Sequence, residues 1–204
     1  MVLALKSYIS GLNKTTFMAH DAVIKLNPPN EEQIIDACIK SERWAQRWLY
    51  ETYYGQMMSI CQRYAYQEDE AQDLLHEGFI KIFRYVGSYK KGTSLTAWIR
   101  TIIVNTCIDY YRKKQRRRSE DIDDVKGLQY VDLSVIDQIS AEEIIALVQK
   151  LSPAYRIVFN LSVIEGYSHK EIAEMLEINE STSRSNLVKA RYKLQEMLLK
   201  NSND

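Results

Sequence analysis

The stretch "YSHKEIAEMLEINESTSRSNLVKAR", Tyr167 to Arg191, holds two short helical patterns back to back. Ser168 is followed three residues later by Glu171, the pattern of a capping box that opens a helix. Ile172, Ala173, Met175 and Leu176 give that helix an apolar stripe at helical spacing, and it is expected to end near Glu177-Ile178. Asn179 is a good N-cap for a second helix, and Glu180 just inside suits the positive end of the helix dipole. Leu187, Ala190, Leu194 and Leu198 continue at three- and four-residue steps as its buried side.

The opposite face of the second helix carries Thr182, Arg184, Ser185, Asn186, Lys189 and Arg191. Two helices with a tight connection, the second offering Arg, Asn and Ser near its N-terminus, match the helix-turn-helix geometry, in which that end enters the major groove of DNA. A plain helical hairpin with solvated charges is the bland alternative; agreement of caps, turn spacing and polar face speaks against it. Turns of this kind often take Gly where the chain goes left-handed, and a left-handed Glu177 costs roughly 1 kcal/mol.

Outside this stretch, hydrophobic residues recur at three and four rather than two, and the 204 residues contain only seven Gly and three Pro. The chain reads as all-α, with two small helical domains. Residues 1–30, ending in "NPPN", form a weakly structured extension in this reading, and Met1 and Met18 are both candidate starts. A helical domain over 31–118 follows. In "SERWAQRWLYETYYGQMMSICQRYA" its face is Ala45, Leu49, Tyr53, Met57, Ile60 and Tyr64. In "EDEAQDLLHEGFIKIFRYVGSY" the stripe is Ala71, Leu74, Leu75, Phe79, Ile82 and Phe83, leaving Asp73, His76, Glu77 and Lys81 outside. Gly78 weakens that helix by about 1 kcal/mol relative to Ala. Trp98, Ile102 and Ile108 are buried candidates in "LTAWIRTIIVNTCIDYYRKKQRRR". The acidic segment 119–140 has little periodicity and reads as a flexible linker. A second helical domain spans 141–200, with Ser152-Pro153 a sound helix start.

Arg112 to Arg118 puts six basic residues into seven positions, a density that usually serves phosphates, although cations also suit a helix C-terminus. Asn105 lies upstream, with Tyr89, Trp98, Tyr110 and Tyr111 near. Aromatic rings beside a basic track are what single-stranded DNA binding uses, at roughly 1–3 kcal/mol of stacking per base. One domain thus looks fit for strand-separated DNA and the other for duplex.

Net charge is zero, from 27 basic and 27 acidic residues, where a stand-alone non-specific DNA binder is normally basic. DNA contact rests on local patches: Lys170, Arg184, Lys189 and Arg191 in the second domain, with Arg156 near them, and Ser168 and Lys170 with Arg191 on phosphates. Cys38, Cys61 and Cys107 are widely spaced without a C-x-x-C pair, so neither a disulfide framework nor a zinc site is indicated, and the thiols read as core filler in a reducing compartment. No apolar run approaches membrane length, and a cytoplasmic location is expected. There are no paired carboxylates with a His, no activated nucleophile and no Gly-rich phosphate loop, so an enzyme, a metal, a cofactor and a small-molecule substrate are not expected.

Taken in order, these segments resemble the extracytoplasmic-function group of bacterial sigma factors, the short two-domain members of the sigma-70 family. "DLLHEGFIKIFR" is similar to the family's region-two helix, "TSLTAWIRTIIVNTCIDYYRK" to its promoter-melting segment, and "LSPAYRIVFNLSVIEGYSHKEIAEML" with "STSRSNLVKAR" to region four. The resemblance implies that Asp73, His76, Glu77 and Lys81 grip core RNA polymerase. It implies that the loop "YKKGTS", with Tyr89, Lys91 and Ser94, pockets an extruded base of the minus-ten element. It gives Asn105 a minus-ten contact, with Trp98, Tyr110, Arg112 and Lys113 along the single strand. Arg184, Ser185, Asn186 and Lys189 face the minus-35 element, and the acidic linker threads towards the polymerase active site. An anti-sigma factor, often membrane-anchored, is the implied regulator. The chain departs from the family pattern at His76, commonly Gln, at Glu177 and Ser181, often Gly, and at Asn186 and Lys189, often Arg or Gln. Two classes compete: a conventional helix-turn-helix regulator with a helical dimerisation domain, whose mark is tight operator binding without polymerase, and a helical interaction module such as an adaptor for a membrane-linked regulator, which needs no basic tail.

Overall fold

The computed structural model describes residues 30–116 and 141–201; the N-terminal extension, the linker, and Arg117 and Arg118 lie outside them. Every regular element among the described residues is helical. They run α1 (Glu31–Ile39), α2 (Arg43–Tyr64), α3 (Glu68–Tyr85), a 3₁₀ turn at Val86–Ser88, α4 (Leu95–Gln115), α5 (Ala141–Gln149), α6 (Pro153–Phe159) with a π turn at Asn160–Ile164, α7 (His169–Leu176) and α8 (Glu180–Asn201).

The chain divides into two compact units whose borders cut through helices. Of the described residues, the first comprises 30–59 and 72–106, the second 60–71, 107–116 and 141–201. Helices α2, α3 and α4 each contribute residues to both units.

In the first unit Ile34, Ile35, Leu49, Met57, Leu74, Leu75, Phe79 and Ile82 are fully buried. On α4 the residues of this unit that are buried are Leu95, Ile99, Ile103, Val104 and Thr106, whereas Trp98 and Ile102 are half-buried; Ile108, further along the helix, is buried as expected. Gly78 explains the rest of that packing. A Cβ there would stand 2.3 Å from Ile103 Cδ1, so the missing side chain is what lets α3 and α4 approach closely. The helix gives up propensity and the core gains contact.

In the second unit the helix-turn-helix stripe is Ile172, Ala173, Leu176, Leu187, Ala190 and Leu194, all buried, and Leu198 is half-buried. The stripe of α8 begins one turn earlier than the apolar residues indicate, because Ser183 is fully buried. Arg156, expected near the DNA face, is 2% exposed. Its guanidinium donates to the carbonyls of Ala65 at 2.7 Å, Gln149 at 2.6 Å and Leu151 at 2.8 Å. A buried cation is tolerated when so surrounded by acceptors, and here it binds together the ends of helices. Arg63 and Glu165 form an ion pair at 3.3 Å in the same unit, and Asn160 donates to the Arg63 carbonyl at 2.8 Å. Cys38, Cys61 and Cys107 are all buried free thiols; burial, with Glu42 nearby, pushes Cys38 up to about 12, which keeps it unreactive.

Candidate nucleic-acid and polymerase interfaces

On α3, Asp73 and Glu77 are exposed, and Lys81 is half-buried. Lys81 Nζ lies 3.6 Å from Glu77 across one helical turn, so this side of the helix is an acidic strip with one cation at its end. His76 does not stand clear with them. It is half-buried, its ring stacked 6.4 Å from that of Tyr50 on α2, centroid to centroid, at an interplanar angle of 19°. Tyr50 in turn packs on Phe79 at 4.7 Å. An imidazole is large and flat enough to pack as an aromatic ring, and α2 supplies the partner.

The loop from Tyr89 to Ser94 links the 3₁₀ turn to α4. Gly92 sits at φ +83°, a left-handed position where a side chain would be strained. The loop closes on itself through the Thr93 hydroxyl donating to the Lys90 carbonyl at 2.7 Å. Ser94 ends it as the cap of α4, accepting from the Ala97 N–H at 3.2 Å. Tyr89 was expected to offer its ring to a base. It is only 7% exposed. Its ring packs on half-buried Trp98 at 5.6 Å, and its hydroxyl faces Glu31 Oε1 at 2.7 Å and the Thr93 carbonyl. Burial and the Glu31 carboxylate raise the Tyr89 phenol above its ordinary value, keeping it protonated and a donor. Lys91 pairs with Asp36 at 2.8 Å, and that contact raises its pKa.

Further along α4, Asn105 and Lys113 are exposed. Tyr110 is half-buried, and its hydroxyl donates to Glu70 Oε1. Lys114 donates to the same oxygen at 2.6 Å and lies 5.3 Å from the Tyr110 ring centroid. Burial alone would raise the Glu70 carboxyl, but the hydrogen bonds from Lys114, Tyr110 and the Tyr66 N–H outweigh it and hold it below the usual range. Arg112 and Arg116 both pair with Glu177, the latter at 2.9 Å. Of the residues expected to line single-stranded DNA, Asn105 and Lys113 are open to solvent, and Tyr89, Tyr110 and Arg112 hold protein partners.

The capping box of α7 forms as its sequence indicates. Ser168 Oγ accepts from the Glu171 N–H at 3.3 Å, and Glu171 Oε2 accepts from the Ser168 N–H at 2.8 Å. The Ser168 hydroxyl also donates to Glu171 at 2.7 Å, so a phosphate would have to compete with the cap. Glu177 is left-handed, at φ 57° and ψ 42°, the position that usually takes Gly. On α8, Arg184 and Ser185 are exposed, and Asn186, Lys189 and Arg191 half-buried. Arg184 pairs with Glu180 one turn earlier at 2.5 Å, and the Ser185 hydroxyl donates to the Thr182 carbonyl at 3.0 Å. Lys170 is exposed on α7.

One pair here was not anticipated. His169 Nδ1 lies 2.9 Å from the hydroxyl of buried Ser183, tying the first helix of the motif to the second. Burial and the charges of Arg184 and Arg191 hold the imidazole below its ordinary pKa, with Glu180 opposing. The only sequence signal was a serine on the buried stripe of α8.

Residues 49–117 match the family model for sigma-70 region 2, and residues 141–194 that for sigma-70 region 4. The chain is 22% identical over 173 residues to the ECF RNA polymerase sigma factor SigM of Mycobacterium tuberculosis, covering 83% of this chain and 85% of that one. It is 30% identical over 150 residues to the ECF RNA polymerase sigma factor SigE of Mycolicibacterium smegmatis, covering 71% and 58% respectively. Among solved structures, the sigma factor RpoE of Bartonella quintana, in complex with the anti-sigma factor NepR, aligns with a TM-score of 0.44 and 22% identity, over 74% of this chain and 95% of that one. The chain belongs to the sigma-70 family, in its extracytoplasmic-function group.

Among the described residues no helix is long and apolar enough to cross a membrane, and no cluster of His, Cys, Asp and Glu is placed to hold a metal ion.

Proposed function

We propose that this chain is a dissociable specificity subunit of RNA polymerase: it binds the core enzyme, recognises minus-35 and minus-ten promoter elements and promotes strand separation. The observation that carries this reading is the presence of both sigma regions in one chain, in order, separated by an acidic segment. In this reading the acidic strip of α3, Asp73 and Glu77 with Lys81, meets the polymerase. The loop at Tyr89–Ser94 takes the extruded base, Asn105 and Lys113 face the melted strand, and Arg184, Ser185, Asn186 and Lys189 meet the minus-35 duplex. Lys170 and Arg191 serve phosphates.

The same reading explains the neutral charge. Each phosphate neutralised contributes about 0.9 to the salt slope, and each base-edge contact from Arg184 or Asn186 adds roughly 1–3 kcal/mol. So few contacts make a weak binder alone. Core polymerase supplies the missing affinity by holding both regions at the promoter's spacing. An anti-sigma factor, membrane-anchored in many members of the group, would act by covering these faces.

The test is run-off transcription from a genomic library with purified core polymerase and this chain. Promoter-specific transcripts that vanish when the chain is omitted are expected. Tight operator binding by the chain without polymerase, with no transcripts, would overturn the reading in favour of a conventional regulator.

A further inference from the structure

We infer that α1 is the positioning element of the minus-ten loop, acting through Glu31 and Asp36; this rests on the proposed role of that loop in base capture. The loop tip is closed by its own bonds, with the Thr93 N–H and hydroxyl both on the Lys90 carbonyl, at 3.2 and 2.7 Å. Those bonds shape the tip but do not aim it. Two side-chain contacts do so, and both come from α1, more than fifty positions away in sequence. Glu31 Oε1 meets the Tyr89 hydroxyl at 2.7 Å, at the start of the loop. Asp36 meets Lys91 Nζ at 2.8 Å, at its tip.

The helix is a rigid holder. Its N-terminus is fixed by a complete capping box between Asn30 and Gln33, with distances of 2.9 and 3.0 Å. Its inner side, Ile34, Ile35, Ala37 and Cys38, is buried. Glu31 and Asp36 lie on the exposed side, where no core packing requires a carboxylate.

The chemistry of the phenol couples the two ends of the loop. Tyr89 has one hydroxyl hydrogen, and it faces two acceptors, Glu31 and the Thr93 carbonyl. The helix carboxylate and the far end of the loop therefore compete for one proton, and the strength of one bond sets that of the other. Asp36 acts on the cation: it holds Lys91 at the loop tip until a phosphate oxygen of the captured strand replaces it. Glu31 and Asp36 are positioning residues; the contact with the base belongs to the loop.

The experiment uses the full chain with core polymerase and fork-junction DNAs carrying each of the four bases at every minus-ten position of the promoter recovered above. The readout is preference between best and worst base. Loss of one such hydrogen bond shifts an equilibrium by roughly two- to tenfold. Glu31→Ala with Asp36→Ala should reduce base preference by that factor while core-polymerase binding and helicity stay unchanged. Glu31→Ala alone should lose part of the preference, and Glu31→Gln, whose amide oxygen still accepts from the phenol, should retain most of it; a merely structural role would not distinguish Gln from Ala. Lys91→Ala with Thr93→Ala, changed in parallel, reports on the loop itself. If the loop variant alters preference and the α1 variants do not, the positioning role is overturned and the proposed function stands. If neither alters preference, the base-capture role of the loop falls and the inference with it. Equal losses in Glu31→Ala and Glu31→Gln, or lost polymerase binding, would also overturn it.

Discussion

Adding one methyl group at Gly78 and removing one at Ile103 should nearly compensate each other, and the size of that coupling follows from one distance. Gly78→Ala alone gains about 1 kcal/mol of helix propensity. Its new Cβ, however, would stand 2.3 Å from Ile103 Cδ1, where carbon atoms in contact sit at roughly 3.5–4.0 Å. Ile103 is 0% exposed, so its side chain can move aside only within the core. Overpacking of this kind costs about 1–3 kcal/mol, which leaves the single variant destabilised by up to about 2 kcal/mol. Ile103→Val deletes Cδ1 and costs about 0.5–1.5 kcal/mol by itself. In its background the nearest remaining atom is Cγ1 at 3.6 Å, an ordinary contact. There Gly78→Ala fills the space that Val leaves and keeps its propensity gain. The expected interaction energy is therefore about 1–3 kcal/mol in favour of the double variant. Urea unfolding of the four proteins, followed by far-ultraviolet circular dichroism, measures it through midpoints at a common slope. Additivity within about 0.5 kcal/mol would refute the claim that Gly78 is there to admit α4.

Asp73→Arg reverses the charge of an exposed residue on α3 and should weaken core-polymerase capture by about tenfold or more with helicity intact; unchanged capture in a pull-down removes α3 from the polymerase interface. Asn105→Ala, also at an exposed position, should slow open-complex formation while sparing polymerase binding. A pre-melted bubble should restore much of the loss, since strand separation is then already done; wild-type melting by the variant makes Asn105 a surface residue only. His169 has a folded-state pKa below its ordinary value of 6.5, from burial and from Arg184 and Arg191. Below that value the unfolded chain takes up a proton that the folded chain refuses, so stability falls as pH drops through and below 6.5. His169→Gln should flatten that part of the stability–pH curve, and identical curves for variant and wild type would show that the imidazole is not disfavoured in its charged form.

Much of this protein is decided by signals a few residues long. The capping box of Ser168 with Glu171 is read directly from residue types at a fixed offset and forms as read, whereas that of Asn30 with Gln33 emerged only in the structure. Most of the stripes of α3 and α8 form likewise, because a 3.6-residue period is a property of the local backbone; Phe83 and Leu198 are half-buried. The left-handed Glu177 was legible for the same reason: the turn needs that conformation whatever the residue. The residues proposed for the site came from the order of the family-like segments, with the basic run Arg112 to Arg118 beside them.

What each polar side chain meets was left to the tertiary structure. Tyr89 reads as a stacking ring, but α1 brings Glu31 to its hydroxyl and α4 packs Trp98 against its ring. Arg156 reads as a surface cation, but carbonyls from α2's C-terminal end and from around α5 enclose it. His76 reads as an exposed contact until Tyr50 stacks on it, and Gly78 reads as a weak point in α3 until Ile103 fills the space above it. The physical reason is common to all four. Helix formation and capping are settled by backbone groups within a few residues, whereas the pairing of a buried polar group, ring or gap is settled by whichever atom the fold brings within reach from tens of residues away.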